Sequence, residues 1–167
     1  MTMPLGSRIG QALRRLVGTQ TTRGPLRRPA APRPTGDRGA LDYRGKVTIT
    51  YDPHPDGCAD PGEVVWIWVP FEEDSTQGKD RPVLVIGTAP QAGADQLAVL
   101  MLSSKDHGAD PNWLPLGPGA WDRDGRPSCV RLDRVLMVAP GDVRREGSSL
   151  DRARFEILKR ALQARSR

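Results

Sequence analysis

Val64-Val65-Trp66-Ile67-Trp68-Val69 is an unbroken run of β-branched and aromatic side chains, closed by Pro70. Such residues fill a pleated surface and lose rotamer freedom in a helix, and the run is too short to make a stable helix. It reads as a strand. Trp66 and Trp68 alternate on it and so share one face, which is expected to be core, with a base-stacking platform as the alternative. Working outward towards the C-terminus, residues 83–86, 97–102 and 129–139 repeat the apolar pattern, parted by segments rich in Gly, Pro, Asp and Ser. Towards the N-terminus, Val47, Ile49 and Tyr51 alternate with Thr48 and Thr50, and a turn cluster follows from Asp52 to Gly57. Short strands spaced closely by turn signals predict a mainly β fold, an antiparallel sheet or small barrel. One helix comes last. Leu150, Ala153, Ile157, Leu158, Ala161 and Leu162 recur at helical spacing over about residues 149–165, and Ser148 with Asp151 approximates a capping box.

Charge divides the chain. Residues 1–46 carry ten basic side chains against Asp37 and Asp42, whereas the remaining 121 residues hold 15 basic and 18 acidic groups, a balance of −3. The overall +5 therefore describes an arm rather than the domain, and any polyanion site on the folded part has to be local. Within the arm, Leu5, Ile9, Ala12, Leu13, Leu16 and Val17 fall at helical spacing, an amphipathic helix that is marginal alone. From Gly18 to Gly45 the apolar content is too low to offset ordering entropy. The expected organisation is a largely disordered basic arm, residues 1–45, with order beginning near Lys46 and one domain over residues 46–167. The arm suits non-specific contact with nucleic acid or an anionic membrane, with a solvated tether as the alternative. Cys58 and Cys129 lack CxxC spacing, and His54 and His107 are too sparse for a zinc site, so no metal, cofactor or disulfide framework is expected. No run approaches the ~20 apolar residues of a membrane span and no secretory signal is visible, so a cytoplasmic location is expected.

Four blocks carry a sharper reading: Pro61-Gly62-Glu63-Val64-Val65-Trp66; the loop and strand from Ser75 to Ile86 with Gln77-Gly78-x-x-Arg81-Pro82 inside it; Leu100-Met101-Leu102-Ser103-Ser104; and Val130-Arg131-Leu132-Asp133-Arg134. In this order they resemble the MazF/PemK toxins of bacterial toxin–antitoxin pairs, over roughly residues 60–165. The resemblance implies a small SH3-like, CcdB/PemK-type antiparallel β-barrel with a C-terminal helix, usually a homodimer. It also implies an endoribonuclease that cuts single-stranded RNA without metal and is silenced by a cognate antitoxin. Asp133 would then be the base with Arg131 beside it, Arg81 would stabilise transition-state charge, and Ser103 would hydrogen-bond the phosphate. Gln77, Lys79, Ser104, Lys105 and Arg134 fall where RNA contacts are expected.

Attack by a ribonucleotide's own 2′-hydroxyl needs a proton acceptor and cations for the charge that builds on phosphorus. In-line attack also needs a nucleotide that can be splayed from A-form geometry, hence a single strand. Arg131 and Asp133, two residues apart on a strand, project from one face, although a plain surface ion pair fits the same spacing. The planar guanidinium of Arg81 suits bidentate phosphate contact, with pairing to Asp80 or Glu73 as the alternative. Some residues depart from the family pattern. Ser75 and Thr76 stand where relatives carry His or Glu, leaving His107 as the nearest substitute in the chain, and Arg134-Val135-Leu136 replaces a later Gln-x-Arg. Glu72-Glu73-Asp74 would repel phosphate unless turned outward or neutralised by Lys79 and Arg81. These departures keep a second reading open, a catalytically degenerate barrel that binds protein or nucleic acid.

Overall fold

The computed structural model describes residues 39–91 and 94–166. Its strands are β1 (Leu41–Tyr43), β2 (Thr48–Ile49), β3 (Glu63–Pro70), β4 (Gly78–Gln91), β5 (Ala94–Ser103), β6 (Trp113–Gly117), β7 (Ser128–Val138) and β8 (Arg144–Ser149), followed by α1 (Arg152–Arg165). They form one antiparallel sheet in the order β1-β7-β5-β4-β3-β8, with β2 attached to β4 and β6 to β7. The path ends at β1 and β8, so the sheet is curled and barrel-like without closing. The mainly β fold with a C-terminal helix is therefore as the sequence pattern predicts.

Period-two alternation places apolar rows on both faces. One row set, Val64, Leu84, Ile86, Leu100, Leu102 and Val130, is buried under Phe155, Leu158 and Leu162 of α1. The other, with Val65, Ile67, Val69, Val83, Val85, Val99, Met101, Leu136 and Val138, is buried although no helix covers it. The curl of the sheet does this, bringing β3, β4, β5 and β7 around a common interior. Gly87 lies where β2 crosses β4: a Cβ there would stand 1.9 Å from the Thr48 carbonyl oxygen. Only glycine lets the two backbones approach this closely.

The structure departs from the sequence pattern at several points. Trp66 and Trp68 share a face, but both are half-buried at the rim rather than in the core. Trp121 is the indole that enters the core, its Nε1 donating to Ser128 Oγ at 3.0 Å. The helix starts later than the capping box suggests. Leu150 N still donates to Gly62 O at 2.8 Å, so the chain remains extended there, and Asp151 is the N-cap, accepting from Arg154 N at 3.0 Å. Ser148 is instead a buried residue of β8, and Ile157 is exposed, because the packed face is set by Phe155. Among the described residues the sheet takes in a strand ahead of Lys46, since β1 pairs along β7 from Leu41↔Met137 to Tyr43↔Val135. The amphipathic helix expected over residues 5–17, and most of the arm, lie outside the described residues. Among those described, no helix is long and apolar enough to cross a membrane.

Candidate active site

The interior rows end in polar groups at one open end of the barrel. On β4 the row Val85, Val83 continues to Arg81; on β5 Val99, Met101 continues to Ser103; on β7 Val138, Leu136 continues to Arg134. A shift in β7 adds to this convergence. In an unbroken ladder from Leu100↔Val135, Leu102 would face Asp133, yet it faces Val130. The bulge frees residues 131–134 from β5 and re-aims their side chains, as bulges do beside functional sites.

Arg131 and Asp133 meet as a fork: Nε donates to Oδ1 at 2.8 Å and Nη2 to Oδ2 at 3.0 Å. The remaining terminal nitrogen, Nη1, donates to Glu72 Oε1. Arg134 forms a second fork with Asp42 of β1, Nε to Oδ1 at 2.6 Å and Nη2 to Oδ2 at 2.9 Å, and its Nη1 lies 3.5 Å from Glu72 Oε1. Glu72 is therefore shared between two guanidiniums. Its place is built by the turn around it, in which Asp74 accepts from Thr76 N, Thr76 Oγ1 and Gln77 Nε2, and Phe71 N donates to Gln77 O. The turn ends at Gly78, which lies so close to the Trp68 indole that a side chain would not fit.

These bonds set the proton affinities. The Arg131 fork holds the Asp133 carboxyl below its ordinary value against a smaller opposing effect of burial, and the Arg134 fork does the same for Asp42. Carboxyls with lowered folded values stabilise the fold fully above the unfolded value near ~4, and this stabilisation is lost as pH falls through the folded values. The double variant Asp42→Asn, Asp133→Asn should accordingly show a flatter decline of the urea midpoint below about pH 4 than the parent does. An identical acid decline would mean that neither fork contributes to stability. Cys129, level with Ser103 in the ladder, has its thiol pushed up by burial, so it is a poor nucleophile near neutrality.

Three depressions adjoin along this end. One of about 320 Å³ is lined by Glu72, Arg81, Ser103, Lys105, His107 and Arg131, among others. A second, about 350 Å³, shares Glu72, Arg131 and Arg134 with it and adds Asp42, Arg44 and Asp133. The third, about 400 Å³, shares Arg81, Ser103 and Lys105 with the first and adds Trp66, Ser104, Trp121 and Arg126. Together they make a groove in which cations alternate with carboxylates, Asp42, Glu72 and Asp133 towards one end and Asp80, Asp122 and Asp124 towards the other, where Arg126 is held by Asp122.

The residues singled out in the sequence distribute unevenly over this groove. Arg81, Ser103 and Arg131 share the central depression, while Asp133 faces the second, across the Arg131–Glu72 contact. Arg81 makes neither of the pairings considered above: Asp80 is taken by Arg144 at 2.6 Å, and the Arg81 guanidinium has no hydrogen bond or ion pair among the described residues. Ser104 and Lys105 line the end with the indoles. Gln77 is tied back to Asp74, and Lys79 lies over the Phe71 ring at 5.7 Å, so neither lines the groove. Arg134 is only 8% exposed and belongs to the floor.

Sequence reasoning missed the inward turn of Glu72, the Asp42–Arg134 fork and the stack of His107 on Trp113, whose ring centroids are 3.6 Å apart. The acidic run at 72–74 was a signal for the first, pointing at repulsion where the fold makes an ion pair. Among the described residues no group of three or more His, Cys, Asp or Glu side chains could hold a metal ion.

Comparison with known proteins agrees with this geometry in extent. Residues 60–165 match the family described as PemK-like, MazF-like toxin of type II toxin–antitoxin system. The matched span runs from just before β3 to the end of α1 and so contains the whole groove except Asp42, Tyr43 and Arg44. No curated protein matches the chain.

Proposed function

Since the chain belongs to the PemK-like, MazF-like toxins of type II toxin–antitoxin systems, we propose that it is an endoribonuclease that cuts single-stranded RNA by attack of the 2′-hydroxyl, without a metal. The observation that carries this reading is the central depression, where the guanidinium of Arg81, unpaired among the described residues, faces the same space as Arg131 and the Ser103 hydroxyl. Two guanidiniums and a hydroxyl can hold a phosphodiester and stabilise the charge that develops on its oxygens. Asp133 keeps the Arg131 fork in a fixed plane. As a base it would first have to give up that fork, because both of its oxygens accept from Arg131. Lys105 and Ser104 would contact the RNA on the indole side, where the half-buried Trp66 offers a surface for a base.

Incubation with single-stranded RNA in excess chelator should give fragments ending in a 2′,3′-cyclic phosphate. An RNA with deoxynucleotides at the cut positions should stay intact. Cleavage of the deoxy substrate, or a requirement for added divalent metal, would contradict the mechanism. The partner of this activity would be an antitoxin whose extended segment covers the groove, and the active form would be a homodimer. A second reading, a binding module without catalysis, is favoured by the engagement of Arg131 with two carboxylates, which use three of its five N–H donors. It predicts no cleavage of either RNA.

A further inference from the structure

Chemistry at the central depression needs a proton acceptor, and the two carboxylates at Arg131 are not equivalent in this respect. Asp133 uses both oxygens on one guanidinium. Glu72 uses Oε1 alone, towards Arg131 and Arg134, and Oε2 accepts no hydrogen bond from any other described residue. Glu72 also borders both the central depression and the one beside it, whereas Asp133 borders only the latter. Its side chain is 48% exposed, so the free oxygen can be reached from solvent. The internally bonded turn at residues 71–77 and the two guanidiniums fix the carboxylate from both sides, which is the positioning a general base needs.

We infer that Glu72, and not Asp133, takes the 2′-hydroxyl proton in the cleavage proposed above, an inference that rests on that reading. Glu72 Oε2 accepts the proton as the 2′-oxygen bonds to phosphorus. The bond from phosphorus to the 5′-oxygen breaks, its electron pair stays on that oxygen, and the oxygen takes a proton from water. Glu72 then returns its proton to solvent, leaving a 2′,3′-cyclic phosphate and a 5′-hydroxyl. Arg131, shared by Glu72 and the phosphate, couples the two: it fixes the position of the carboxylate and faces the anion that forms. The acidic run that looked hostile to RNA thereby acquires a role, because one of its members is neutralised by the same cations that would receive the phosphate.

The test compares the full-length parent with Glu72→Gln, Glu72→Asp and Asp133→Asn in single-turnover cleavage of a mixed-sequence RNA oligonucleotide, across about pH 3 to 9. Charged and titratable groups around Glu72 are Arg131, Arg134, Asp133, Asp42 and Arg44 on one side and Glu73, Arg81, Lys105 and His107 on the other, so the readout is the change between variants and not one apparent midpoint. Glu72→Gln should bind the oligonucleotide at least as well as the parent but cut it about 100-fold or more slowly, and should lose the rise of rate with pH on the acid side. Glu72→Asp should keep that rise at a reduced rate, and Asp133→Asn should keep it too. Glu72→Gln cutting at the parental rate with the rise intact overturns the inference and leaves the nuclease reading standing. Faster cutting overturns it as well, and makes Glu72 a plug for the phosphate site. A parent that cuts nothing at any pH overturns both.

Discussion

Replacing Arg81 with alanine should lower RNA cleavage by on the order of 10² to 10³-fold while leaving the folded state as stable as the parent. The first part follows from the role of a guanidinium at a phosphate whose charge grows towards the transition state, where loss of one well-placed donor has effects of about that size. The second follows from the bonding of this residue. Arg81 has no hydrogen bond or ion pair to lose among the described residues, and its neighbour Asp80 is held by Arg144 instead. Substitutions at such positions usually shift stability by less than about 0.5 kcal/mol. The combination is diagnostic. Arg131→Ala would be a poorer experiment, since it strands Asp133 and Glu72 side by side and mixes a stability defect with a catalytic one. Measuring single-turnover rates beside thermal midpoints for Arg81→Ala separates the two, and parental cleavage would remove Arg81 from the phosphate.

The largest effect on stability is expected from Phe155→Ala, at about 3 to 5 kcal/mol, read from urea unfolding. Phe155 is the first buried residue of α1 and is 1% exposed. Its ring lies 5.0 Å from that of Tyr51, a tilted aromatic contact, and Tyr51 in turn donates its hydroxyl to Leu150 O at 2.8 Å while Arg152 sits over its ring. Truncation would leave a cavity at the point where the helix start, the segment after β2 and the outer apolar rows of the sheet meet. A loss below about 1 kcal/mol would mean that α1 docks chiefly through Leu158 and Leu162.

The strands legible in the sequence were those buried on one face or both, because burial demands continuous or alternating apolar side chains: β3, β5, β7 and the centre of β4. Those that escaped carry no apolar period of their own and are held extended by neighbouring strands. Leu41-Asp42-Tyr43 carries no period that distinguishes it from an arm, and becomes a strand because β7 offers an edge and Arg134 a partner for Asp42. The ends of β4, through Gly78, Lys79 and Asp80 and again beyond Gly87, are polar or small and are held extended by β3, β2 and β5. At the site, the contact of Arg131 with Asp133 followed from a spacing of two on a strand. The approach of Glu72 could not be read, since a turn and a sheet crossing separate it from Arg131. The bulge in β7 was equally hidden, as apolar and charged residues still alternate through it.

The fork between Asp42 and Arg134 makes β1 a clasp on the floor of the groove. A truncation intended to remove the basic arm has to stop ahead of Ala40, which is itself sealed in the interior. Cutting seven residues further in would unzip the edge of β7, strand a guanidinium in the floor without its carboxylate, and loosen Glu72 from one of its two anchors. Tension applied to the chain before Gly39 reaches the same clasp, so whatever grips the arm also has a handle on the groove.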